Sequence, residues 1–214
     1  MKKIIPFSFL LMLYACGGNE ATVAEESASE ELTKTCTFDY DSEATLLTWT
    51  AFKHTNKAVV GGAFNAFVIE GFQPDEDIAK AMQAVIVKIE TASTETNDAV
   101  RNGKIAESFF GTMQNPGKIE VSFISVEGNN AEGSLVAEIV MNGKSQQIPM
   151  TYTVENETDL KLKGSIDVLN WDAQKSLDKL NEVCLEQHIG ADGQNKLWSE
   201  VDITVITKLK KVCE

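Results

Sequence analysis

The sequence predicts an all-β domain: an antiparallel meander of eight long strands with short helices between strands, packed on a second layer or curled into a barrel. Three observations predict it. Residues 118–168 alternate apolar and polar side chains in four successive runs, Ile119-Val121-Phe123, Leu135-Ala137-Ile139-Met141, Ile148-Met150-Tyr152-Val154 and Leu160-Leu162-Gly164-Ile166-Val168. Successive strand side chains point to opposite faces, so each run buries one face and wets the other. Short turn-forming links join the runs, Glu127-Gly128-Asn129-Asn130, Asn142-Gly143-Lys144 and Glu155-Asn156-Glu157-Thr158; links this short connect antiparallel neighbours. The long runs along the whole chain number eight, the count at which a closed sheet is filled by its own side chains or holds one slim ligand. A meander with one apolar face must pack on a second layer or curl upon itself.

The first residues read as an address, not as fold. Lys2 and Lys3 precede an apolar run over 4–13 that is too short to span a bilayer as a mature helix. It ends in Leu13-Tyr14-Ala15-Cys16, followed by Gly17-Gly18. Leu, Ala and Cys resemble the lipobox of bacterial lipoproteins, although Tyr14 is an unusual occupant. The resemblance implies a signal peptide over 1–15, lipidation of Cys16, and a lipid-anchored location in a bacterial cell envelope, periplasmic or surface-facing. The plainer alternative is a weak secretory signal with a chance cysteine. Residues 16–35 are mostly small and acidic, with Glu20, Glu25, Glu26, Glu30 and Glu31 and no aromatic side chain. Such a segment buries too little to offset its ordering entropy, and is expected to act as a flexible tether. The domain then occupies 36–214.

Cys36, Cys184 and Cys213 remain in the domain. In an oxidising compartment disulfides persist, and an odd number leaves one cysteine over. In a closed meander the first and last strands adjoin, so Cys36 at the start and Cys213 at the end are expected to pair. The competing arrangement links Cys184 to either.

Between these ends the elements follow in order. Residues 37–40 form a short extended piece and 45–54 the first long strand. Residues 59–71 form the next, with Gly61-Gly62 marking a bulge, a bend or a close approach by another group. A brief helix spans 77–83, a strand 85–90, and a helical segment runs from Thr96-Asn97-Asp98 to about residue 108. After the meander, 173–188 is helix-like, with Leu177, Leu180 and Cys184 on one face. Residues 201–209 alternate as the last strand.

The net charge of −13 and the single arginine, Arg101, argue against a nucleic-acid interface. No dinucleotide, phosphate-loop, nucleophile-elbow or His-Glu-x-x-His motif is present. Ser176-Leu177-Asp178-Lys179 fits an acyl-transfer pattern but lacks its companions. Cys184 and His188 would supply only half a metal site. No metal and no cofactor is expected, and the chain does not read as an enzyme.

The segments WTAFKHTNKAVVGGAFNAF, AVIVKIETASTETND, ESFFGTMQNP, GSLVAEIVMNGKSQQIPM and GSIDVLNWD, in this order, resemble the YceI-like family of exported lipid- or polyisoprenoid-binding proteins. The resemblance implies an eight-stranded antiparallel up-and-down lipocalin-like barrel, with short helices between strands, around an apolar tunnel. Lys53-His54, Gly62-Ala63-Phe64-Asn65, Ser108-Phe109-Phe110 with Pro116, and Lys144 with Pro149 match family patterns. Gly61 and Ala63 stand where basic residues usually flank the glycine, which puts a family-typical head-group preference in doubt. The tunnel would be lined by Trp49, Phe64, Phe109, Phe110, Ile119, Val121, Phe123, Leu135, Ile139, Met150, Leu162, Ile166 and Trp171, unless these side chains simply plug a core. His54, Arg101 and Lys144 are head-group candidates, His54 reading equally as a hydrogen-bonded strand end. The function expected is an extracytoplasmic, membrane-tethered carrier of an isoprenoid or fatty chain. An exported stress-response or interaction module with a solid barrel is the alternative, and a homodimer is left open. A third reading is a redox or acyl-transfer enzyme using Cys184.

Overall fold

The computed structural model describes residues 34–214. Twelve strands form: β1 (Cys36–Asp39), β2 (Leu46–Lys53), β3 (Ala58–Phe64), β4 (Phe67–Glu70), β5 (Ile86–Glu90), β6 (Thr94–Glu95), β7 (Lys118–Gly128), β8 (Glu132–Met141), β9 (Lys144–Glu155), β10 (Asp159–Asp167), β11 (Leu197–Lys208) and β12 (Lys210–Cys213). Ten make one sheet in the order β4-β5-β7-β8-β9-β10-β11-β2-β3-β6, antiparallel throughout. Its end strands belong to two broken chain runs that face each other. Phe64 pairs with Thr94 on one side of the break and Phe67 with Ile89 on the other. Across the break Asn65 N donates to Ser93 O (3.1 Å) and Glu90 N to Ala66 O (3.0 Å). The sheet therefore curls back on itself, as a lipocalin-type fold, and the eight expected runs are all present.

The differences from expectation are local. The run expected over 59–71 is interrupted at Asn65-Ala66, and Thr91–Ser93 forms a 3-10 turn between β5 and β6. Together they absorb a register offset and split two runs into four strands. Cys36 and Cys213 do pair. They sit, however, on a separate ribbon of β1 and β12, not in the barrel strands themselves.

The meander closes as its turn residues dictate. Asn142 and Gly143 carry φ of 50° and 74°, the twist that suits a two-residue hairpin. In β7 the register shifts between Phe123 and Ser125, so the inward alternation resumes at Val126, which is buried.

Short helices cover the two ends of the barrel. At one end lie α1 (Ile78–Ala81), whose Asp77 cap accepts from Ala79 N (2.9 Å), and the β1 segment, where Phe38 N donates to Asp75 O (2.9 Å). At the other end Asp98 caps α2 (Ala99–Lys104) by accepting from Arg101 N (3.0 Å), and one π-helical turn follows over Ile105–Phe109. The helix expected over 173–188 is two, α3 (Gln174–Val183) and α4 (Leu185–His188), broken at Cys184.

Candidate ligand-binding cavity

The barrel interior is not filled. A cavity of about 310 Å³ lies beneath α2, α3 and α4, and a second of about 120 Å³ lies beneath α1 and the β1 segment. They share Phe64, Ile119, Met141, Ile166 and Ile203 as walls, so they stand end to end. The larger one is at the lower limit of ordinary ligand pockets, roughly 300 Å³. Inward-facing strand positions build the walls, as the period of two requires.

Most residues expected to line a tunnel do face these spaces. Trp49, Phe109 and Phe110 line the larger cavity, Phe64, Ile119 and Ile166 both, and Val121, Phe123, Ile139, Met150 and Leu162 the smaller. Two do not. Leu135 is buried opposite Val126 and Met150 and lines neither internal cavity. Trp171 is wholly buried as part of the end plug: its Nε1 donates to Ile139 O (2.9 Å) and its carbonyl accepts from Asn142 Nδ2 (2.7 Å). Its ring is committed to packing, and no side-chain alternation could have shown that.

Gly62 meets the expectation of a close approach. A Cβ there would overlap the Trp49 ring and come within 3.0 Å of Glu95 O. The glycine lets the indole lie flat across β3 towards β6. Trp49 Nε1 and Thr94 Oγ1 are buried without a hydrogen-bond partner, which is costly for a polar group.

The three head-group candidates separate. Arg101 lines the larger cavity, its Nε donating to Thr96 Oγ1 and its Nη2 to Thr96 O, both at 2.9 Å. His54 lines neither cavity. It adopts φ of 58°, donates from Nε2 to Gln187 O (3.1 Å), and accepts on its carbonyl from Trp198 Nε1 (2.7 Å): a strand-end histidine fixing the α4 and β11 segments. Lys144 also lines neither, and pairs with Asp172.

Several wall residues were not among those expected to line a tunnel. Lys53 and Lys104 reach the larger cavity, as do Val100, Leu177, Leu180, Cys184, His188 and Trp198. The shared face of Leu177, Leu180 and Cys184 was legible, but its target was not. Cys184 is a buried free thiol. His188 Nδ1 lies 2.7 Å from Asn181 Oδ1. Burial, with Lys53, His54 and Lys104 nearby, holds its imidazole down at about 4, so it is neutral at neutral pH. Among the described residues no group of three or more His, Cys, Asp or Glu side chains is placed to hold a metal ion.

The YceI-like domain model matches residues 37–208. The chain belongs to the YceI-like family. No curated protein matches the chain. Among solved structures it is similar to a polyisoprenoid-binding domain from Saccharophagus degradans implicated in plant cell wall breakdown, with 12% identity and a TM-score of 0.54 over 83% of this chain and 98% of that one. It is also similar to BcnA of Burkholderia cenocepacia, with 17% identity and a TM-score of 0.55 over 81% and 99%. At such identities the likeness is one of fold. This YceI-like chain shares the curled antiparallel barrel, and its own side chains decide what the interior can hold.

Proposed function

We propose that this YceI-like protein is a non-catalytic carrier that holds a long-chain amphiphile, an isoprenoid or fatty derivative, inside its barrel. The observation that carries the reading is the interior: two apolar cavities with shared walls, where a solid module would be close-packed. A slim chain threaded there gains about 0.8 kcal/mol per buried CH₂, and binding of this kind needs no catalytic group. The polyisoprenoid-binding domain that shares the fold supports the same ligand class.

We further propose an extracytoplasmic setting with Cys16 as a lipid anchor and 16–35 as the tether. The anchor and tether lie outside the described residues. The Cys36–Cys213 disulfide supports an oxidising compartment. Native mass spectrometry of the protein purified from its own host tests the carrier: a retained apolar ligand is expected, and an empty, tightly packed protein would overturn it. Cys16→Ser tests the anchor. The variant should leave the membrane fraction, because acyl chains supply the binding; a variant that still sediments with membranes after a high-salt wash would remove the anchor.

A further inference from the structure

The larger cavity is apolar except at its helical end, where Lys53, Arg101 and Lys104 line it together. Lys53 ends β2, and Arg101 and Lys104 lie three residues apart on α2. The protein carries 32 Asp and Glu against 19 Lys and Arg, yet none of these three cations has a carboxylate within 4.0 Å among the described residues. Neutral oxygens orient two of them instead. Lys53 Nζ donates to Gln187 O (3.0 Å) and Arg101 donates to the hydroxyl and carbonyl of Thr96. That leaves most of their N–H donors unspent. The one acid in the wall, Asp98, is engaged as the cap of α2. Further in, Trp49 Nε1 is another donor with no partner, on a side chain more than nine-tenths buried. The depressed basicity of His188 comes first from burial and then from Lys53, His54 and Lys104, the smaller part being what a positive field adds.

We infer that the cavity selects an amphiphile with an anionic oxygen head, a carboxylate or a phosphate, seated among Lys53, Arg101 and Lys104 with its apolar chain running past Trp49. The inference rests on the carrier reading and narrows its ligand. Half-buried cations without acid partners are costly on their own and become strong donors once an anion arrives. Charge selects in the same direction: three cations stand against one carboxylate, Asp98, so a head that only accepts is favoured over a hydroxyl or an amine.

The test compares dodecanoic acid, dodecyl phosphate and dodecanol by calorimetry on the full folded protein. At least one of the anions should bind roughly tenfold or more tightly than the alcohol. Which anion is tighter identifies the head. In a Lys53→Gln/Arg101→Gln/Lys104→Gln variant the anions should weaken to the level of the alcohol, whose own affinity stays unchanged. Lys104→Gln alone, at a residue with no hydrogen-bond partner to lose, should give a partial loss in the same direction and serves if the triple variant does not fold. Equal affinity for anion and alcohol in the parent protein, or a variant that weakens all three alike, would overturn the anionic site and leave the carrier standing. Binding of none of the three would remove the carrier reading and this inference with it.

Discussion

The two ends of the barrel interior are built from different material. Beneath α1 the walls are strand side chains such as Val121, Ile139, Leu162 and Val205. Two hydroxyls there engage each other, Thr45 Oγ1 lying 2.6 Å from Thr207 Oγ1. Beneath α2 and α3 the walls include helix residues and three cations without acid partners among the described residues. The strand-built end can only shelter hydrocarbon, whereas the helix-built end can also discriminate. On the carrier proposal, affinity would come from the first end and specificity from the second.

The largest effect that separates the ends concerns what ties them. The Cys36–Cys213 bond closes a sequence separation of 177 on the ribbon beside the strand-built end. A Cys36→Ser/Cys213→Ser variant should lose up to roughly 5 kcal/mol of stability in the chain-entropy model, read as a lower urea midpoint. An unchanged midpoint would mean that the barrel needs no such tie.

Two glycines sharpen the contrast. A side chain at Gly62, under the helix-built end, meets the rigid Trp49 ring and the Glu95 carbonyl. Gly62→Val should therefore cost about 1–3 kcal/mol through overpacking. At Gly164 a Cβ meets Met150 Cγ at 2.7 Å, and a methionine beside a cavity can turn aside. Gly164→Ala should cost less than about 1 kcal/mol. Thermal melts that rank the two the other way would contradict the packing described for each end.

A pH-dependent effect belongs to His188, at the helix-built end. Its folded value of about 4 lies below the ordinary 6.5. Between these values the unfolded chain binds the proton and the folded one does not, so stability falls as pH drops through that window. Denaturation from pH 7 to 4 should show a slope that His188→Gln reduces. A variant with the same pH slope would place the histidine in a wetter, less positive site.

The strand-built end was legible in the sequence because alternation alone fixes which side chains turn inward; Ile119, Val121, Ile139 and Leu162 needed nothing else. The helix-built end was not. Lys53 was visible only as half of the family's Lys-His pair and Lys104 looks like a surface lysine; only the folding of α2 over the end of β2 brings them to one cavity. Arg101 entered as a head-group candidate through the family likeness, and it does reach the wall. Lys144 and His54, suggested in the same way, are drawn off by Asp172 and by the Gln187 carbonyl. Leu135 and Trp171 have the right alternation or bulk but are consumed by packing at the ends, which depends on long-range contacts that periodicity cannot express.

The central claim is that the two cavities act as one tunnel for a single chain. It is tested most directly by measuring affinity against chain length, from octanoic to hexadecanoic acid, in the parent protein and in Ile139→Trp. Ile139 lines only the smaller cavity, so the added indole should block that end and leave the larger one open. In the parent, affinity should keep rising with length, by at most about 0.8 kcal/mol per CH₂; in the variant it should level off early while the melting temperature holds. Identical length profiles in the two proteins, or a variant that loses roughly 1–3 kcal/mol of stability as a close-packed core would, would contradict the continuous tunnel.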